Sequence, residues 1–339
     1  MGSLNCFCQA NNNYSENKNQ VMFITDTNES SFDENKVIFY SPNIGKQCLE
    51  QVKSDFKNIL KVNEAKFISE KTFQEILEKT NPELENIKFP KEIEEKMEKD
   101  IFITAPVRFK SGDIYKGSWN TSGQRDGFGL NISQNGIIYK GFWTNDKIDK
   151  YGLILFNDKS FYLGEIKQGK FEGNGEMNIM DKYKYSGNFN NDMPNGKGCI
   201  EDYQKGWKYK GDIVAGKKEG SGTLEFVDRT IYEGGFKNDL YDGNGILKFK
   251  NGNIYKGGFK EGKINGIGKY IWANGEIYEG EYNNFMKCGY GKYFWNDKKY
   301  YEGNWLNNQK HGKGSLHYNN KEIQGVFRFG KIIKESGNQ

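Results

Sequence analysis

Residues 278–295, Tyr278-Glu-Gly280-Glu-Tyr282-Asn-Asn-Phe-Met-Lys-Cys-Gly289-Tyr-Gly291-Lys-Tyr293-Phe-Trp295, decide the fold. Tyr278, Gly280 and Tyr282 share a parity, as do Gly289, Gly291, Tyr293 and Trp295. Same-parity residues of a strand point to one face. The stretch therefore reads as a β-hairpin with aromatics and glycines on one side and mostly Glu, Lys or Asn on the other. Glycine weakens a strand unless its missing Cβ is used. Here it leaves a slot in which a ring can lie flat.

The same grammar recurs along the chain. Tyr-x-Gly begins at Tyr115, Tyr139, Tyr162, Tyr185, Tyr209, Tyr232, Tyr255, Tyr278 and Tyr301, in steps of 23 or 24 residues. Such a period marks a repeat array rather than an ordinary globular core. Asn135-Gly136, Asn251-Gly252 and Asn274-Gly275 precede the next tyrosine, a signal for two-residue hairpin turns. The array is expected from about residue 101 to 330. It opens with a half-repeat at Ala105–Phe109 and closes on the degenerate strand Ile323–Phe327. The expected fold is mainly β: an elongated, single-layer, twisted antiparallel sheet of about ten hairpins, on the order of 90 Å long at ~4.8 Å per strand.

Tyr-x-Gly-x-aromatic followed by Gly-x-Gly resembles the MORN (membrane occupation and recognition nexus) repeat family. The resemblance spans about two thirds of the chain. Several copies depart from it. Lys150 replaces the first glycine of its pair, Ile166 and Ile213 replace the second aromatic, and the first repeat has one extra residue before Gly127. Local weakening is expected there. The resemblance implies cytoskeletal or ciliary partners, a helical segment in the groove, or self-association.

The flanks read differently. Residues 9–45 form a polar, Asn-rich linker and 331–339 a tail. Residues 46–100 carry helical patterns: Leu49, Val52, Phe56, Ile59 and Leu60 on one stripe, Thr72-Phe-Gln-Glu75 as a capping box, and Pro90 opening a helix with Ile93 and Met97. These helices are expected to cap the first repeats; the alternatives are a latch in the aromatic face or recruitment of a partner. In residues 1–8, Gly2 fits an N-myristoylation signal, with Cys6 where Ser or Thr is usual. One myristoyl chain binds a bilayer only marginally, so Cys6 and Cys8 are expected to carry palmitate.

Charge is unevenly shared: residues 1–105 hold 13 lysines and 18 acidic residues, residues 106–339 hold 36 basic and 27 acidic ones. The basic residues are interleaved with acidic ones, so no nucleic-acid patch is formed. Five cysteines make no disulfide or zinc framework, and no apolar run approaches a membrane span. His311 and His317 lack a nucleophile or carboxylate at a meaningful spacing, and no Gly-x-Gly pair opens a helix as a nucleotide loop does. No enzyme, cofactor or metal site is expected.

The reading is a scaffold tethered to the cytoplasmic face of a membrane, at the cell cortex or cilium, that presents aromatics to a protein partner. The residues expected to make that contact are Tyr232, Phe236, Tyr255, Phe259, Trp272, Tyr278, Tyr282, Tyr293, Trp295, Tyr301 and Trp305. Within-sheet packing is the first role expected of most of them, and Trp272, Trp295 and Trp305 are the better candidates for contact. Two alternatives are a phosphoinositide-binding module, tested at Lys256, Lys260 and Lys263, and a purely structural component of a ciliary or cortical assembly.

Overall fold

The computed structural model describes residues 22–24, 38–40, 66–82, 84, 87–99, 106–120 and 122–335. Gly2, Cys6, Cys8 and the stripe Leu49–Leu60 lie outside them. The fold class is mainly β and antiparallel, with two short helices on the N-terminal side. Contacts divide the chain into two compact units, residues 1–180 with 189–192, and residues 181–188 with 193–339.

In the first unit the strands Ile114–Trp119, Arg125–Ile132, Ile138–Thr144, Lys147–Leu155, Phe161–Lys167 and Lys170–Ile179 each pair with the next. Lys66–Phe67 and Val107–Arg108 complete its edge. Helices α1 (Glu70–Thr80) and α2 (Lys91–Lys99) belong to this unit. A separate pair, Met22–Ile24 with Ile38–Tyr40, lies within the segment read as linker. The second unit pairs Met193–Asp202 with Trp207–Val214 and continues through Lys331–Glu335, again strand to next strand. Its last strand falls where the sequence reads as tail; it closes a tenth hairpin on Lys321–Arg328.

The register is set by glycine. Gly117, Gly129, Gly141, Gly152, Gly164 and Gly175 stand opposite one another across successive strands. Gly198, Gly211, Gly222, Gly234, Gly245, Gly257, Gly268, Gly280, Gly291, Gly303, Gly314 and Gly325 do the same in the second unit. Each repeat tyrosine lies over two of these glycines. A Cβ on Gly234 would meet the Tyr232 hydroxyl at 2.6 Å, and one on Gly245 would meet both its hydroxyl and its ring edge at 2.6 Å. The hydroxyl donates to the backbone carbonyl three residues on, at 2.6–3.1 Å in all nine copies. That bond satisfies the phenol, whose burial is otherwise costly.

The turns differ from the sequence reading. The Asn-Gly sites are three-residue loops, not two-residue ones. Gly252 N–H donates to Phe249 O and Phe249 N–H to Asn253 O, with Gly252 alone at positive φ, a type I turn closed by a bulge. The two-residue turns lie at the other end of each hairpin, where both central residues have positive φ: Asn145-Asp146, Asn191-Asp192, Asn238-Asp239 and Asn307-Asn308 among them. Asn and Asp tolerate that region, which is why they recur there. These tips also clasp the preceding hairpin: Asp146, Asp192, Asp239 and Asn308 accept from the backbone N–H of Arg125, Phe171, Lys218 and Lys287.

Helix α1 starts three residues before the expected capping box. Ser69 is its N-cap, accepting from Thr72 N–H at 3.1 Å, while Thr72 sits inside the first turn. Pro90 immediately precedes α2, as the sequence implies, and accepts from Ile93 N–H.

Candidate functional site

The face that carries the tyrosines is closed by its own rings. Tyr232, Tyr255, Tyr278 and Tyr301 have no solvent exposure, and Phe236, Phe259, Tyr282 and Trp305 keep 4–6%. These eight rings, named above among the expected contact residues, are packed within the sheet. Each tyrosine meets the second aromatic of its own repeat and that of the next edge to face: Tyr232 with Phe236 and Phe259 at 5.1 and 5.0 Å, Tyr278 with Tyr282 and Trp305 at 5.1 and 5.2 Å. Ile166 and Ile213 fill the same place and are equally buried. The residue nine positions after the tyrosine completes the cover. Tyr241 stacks on Tyr232 and Phe171 on Tyr162, both at 3.7 Å. This third position is what the sequence reading missed.

Trp272, Tyr293 and Trp295 remain half-buried. They form a chain of tilted rings, Trp272–Tyr293 at 5.3 Å and Tyr293–Trp295 at 5.0 Å. At the ninth position of this repeat stands Lys287, whose ammonium lies 4.5–5.1 Å from the rings of Trp272, Tyr278, Tyr293 and Trp305. Burial pushes the Lys287 ammonium down to about 8, with Glu276 acting against it. The cage is thus filled from within. Arg125 over Trp143 at 4.0 Å, Lys218 over Trp207 at 4.6 Å and Lys310 over Trp295 at 4.5 Å occupy the equivalent place.

The opposite face differs between the units. In the first, α1 and α2 lie on it. Phe73, Leu84, Phe89 and Met97 pack with Ile114, Ile132, Ile138, Phe142, Leu153 and Leu155, and with the partly buried Phe128, Leu130 and Tyr151. Helices α1 and α2 therefore cover the side away from the tyrosines rather than the aromatic face. Lys116, beside Gly117, pairs with Glu70 at 2.6 Å and lies 5.5 Å over the Phe73 ring. Lys140, beside Gly141, lies 5.4 Å over Phe89.

In the second unit the same face is polar and open. A trough of about 1220 Å³ crosses the strands from Gly198 to Gly257, lined by Lys210, Ser221, Thr223, Glu233, Asn244 and Lys256 among others. One wall is the row Lys210, Thr223, Glu233, Ile246, Lys256; the short Ser221 and Asn244, paired across the strands with Gly235 and Gly258, stand on the other side. The first unit places Phe128, Phe142 and Tyr151 where the second has these short residues. Lys197 is paired with Asp212, Lys208 with Glu201 and Lys269 with Glu279. Among the described residues neither Lys210 nor Lys256 has a carboxylate partner.

His317 stacks on Tyr300 at 4.2 Å and stands 3.7 Å from Glu322; His311 meets Phe329 edge to face. Among the described residues no group of His, Cys, Asp and Glu has metal-ligand geometry, and no helix is long and apolar enough to cross a membrane.

The family model for the MORN repeat matches seven segments, residues 162–177, 185–202, 209–231, 232–254, 255–277, 278–299 and 301–322. The copies at Tyr115 and Tyr139 fall outside the match. No curated protein matches the chain. Among solved structures it is similar to the TCP10 domain of Danio rerio CPAP in complex with a STIL peptide, at 11% identity, covering 69% of this chain and 93% of that one, with a TM-score of 0.34. It is also similar to the TCP domain of Drosophila melanogaster SAS-4 with a proline-rich motif of Ana2, at 13% identity, 42% and 76% coverage and a TM-score of 0.28.

Proposed function

The chain is a MORN-repeat protein, with seven matched copies over residues 162–322, and from that premise we propose a non-enzymatic scaffold held on a cytoplasmic membrane face by acyl chains on Gly2, Cys6 and Cys8. The observation that carries the reading is the trough of the second unit. The tyrosine face is saturated by its own rings, so a protein partner is received on the other side. That side already receives a protein segment in the first unit, where it holds α1 and α2. The half-buried Trp272, Tyr293 and Trp295 stand as a secondary contact. Cytoskeletal or ciliary partners are the class that the repeat family suggests.

Two experiments test the reading. Filling the trough with Ser221→Trp and Asn244→Trp, both on the solvent side, is expected to change the proteins captured by proximity labelling in cells. An unchanged set would sink the scaffold proposal. For the tether, Gly2→Ala with a C-terminal fluorescent tag is expected to move the chain from the membrane fraction to the cytosol. Co-sedimentation identical to wild type would remove the acyl anchor from the account.

A further inference from the structure

The first unit shows what chemistry the face beside the glycine row accepts. Lys116, the residue between Tyr115 and Gly117, binds the Glu70 carboxylate, and the same ammonium lies over the ring of Phe73, three residues further along α1. One lysine therefore reads a Glu-x-x-Phe pair on a helix, through a charge-assisted hydrogen bond and a cation–π contact. Lys210 stands between Tyr209 and Gly211, and Lys256 between Tyr255 and Gly257, at the same register position. Both line the trough and neither has an acidic partner among the described residues.

The dimensions agree. Lys210 and Lys256 are separated by four strand steps, through Thr223, Glu233 and Ile246. At ~4.8 Å per step that is about 19 Å, or about 13 residues of α-helix at 1.5 Å each. Helix α1 has 11 residues. Where the first unit supplies Phe128, Phe142 and Tyr151, the trough has Ser221 and Asn244, with Gly235 and Gly258 as their strand partners, so the large apolar groups must come from the occupant.

We infer that the trough receives an acidic amphipathic helix of a partner protein, about 13 residues long, with a Glu-x-x-Phe pair near each end, its carboxylates on Lys210 and Lys256. The inference rests on the scaffold reading and specifies its partner.

The test is fluorescence anisotropy with the full chain and a labelled 14-residue helical peptide that carries Glu-x-x-Phe near both ends. A control peptide has both glutamates replaced by lysine. Wild type is expected to bind the acidic peptide at least tenfold more tightly than the control. The pair Lys210→Glu and Lys256→Glu, on solvent-facing positions, is expected to reverse that preference while leaving the circular dichroism melt unchanged. Equal affinity for both peptides, or an acidic-peptide affinity indifferent to the double reversal, would overturn the inference. So would binding to phosphatidylserine vesicles that the double reversal abolishes and the acidic peptide does not compete, since the trough would then be a lipid site. If trough-filling Ser221→Trp and Asn244→Trp alter the captured proteins but the acidic peptide fails, the scaffold stands and the helix falls. If filling alters nothing, both fall together.

Discussion

Two glycines of each Gly-x-Gly pair do different work. Gly243, at φ +81 with open space around its Cβ position, serves backbone conformation alone. Gly245 has an ordinary φ but leaves room for the Tyr232 ring. Gly243→Asn should stay within about 1 kcal/mol of wild type, because Asn enters the left-handed region readily. Gly245→Asn should lose about 3 kcal/mol by overpacking a buried ring, and thermal melts of the two variants decide the matter. Lys150 stands at the first position of its pair with φ 66. Lys150→Gly should therefore raise stability by about 1 kcal/mol, read as an increase in Tm. The slot was legible in the sequence from parity alone. The division of labour was not, because glycine is written the same way for either reason, and only φ separates them.

At the scale of elements, α1 is anchored on the first unit by Phe73, which is 2% exposed. Phe73→Ala should cost about 3–5 kcal/mol of local packing. Hydrogen exchange is expected to show lost protection over Glu70–Lys99 with residues 207–318 unchanged. The cage around Lys287 makes a second prediction. Burial lowers that ammonium to about 8 from 10.5, so folding penalises its charged form. The penalty is fully present below pH 8 and vanishes as pH rises towards 10.5. Lys287→Met should accordingly stabilise the chain most near pH 7, with its advantage over wild type shrinking by pH 10 in paired melts. Existence and type of the hairpins were readable from Tyr-x-Gly and Gly-x-Gly. The side taken by the helices was not read, although its signal is present. Phe128, Leu130, Phe142, Tyr151, Leu153 and Leu163 crowd that face with apolar groups, where later copies have Ile246, Ile267 and Tyr290 among polar residues. The turn types were misjudged because Asn-Gly advertises a two-residue loop more loudly than Asn-Asp, while hairpin twist is set by the pair in which both residues take positive φ.

Across the whole molecule, burial raises the phenol of every repeat tyrosine above its ordinary 10.0, to about 12 at Tyr185, Tyr255 and Tyr301. A group raised on folding stabilises fully below its unfolded value and loses that contribution as pH climbs through its folded one. Nine such groups should make the array fail cooperatively above about pH 10. In a titration from pH 8 to 12, the tyrosinate absorbance of these nine phenols should appear only together with loss of the circular-dichroism strand signal. The chain has 21 tyrosines, so ionisation of more than the other twelve before strand signal is lost would contradict the burial. A repeat's ring, its hydrogen bond and its two glycines all sit inside one stretch of 23 or 24 residues, and its other partners belong to adjacent stretches. A duplication or deletion in the gene that spans one whole period would therefore add or drop a hairpin and leave every remaining ring seated, so the reach of the array is a quantity that heredity can adjust in fixed steps without redesigning a single contact.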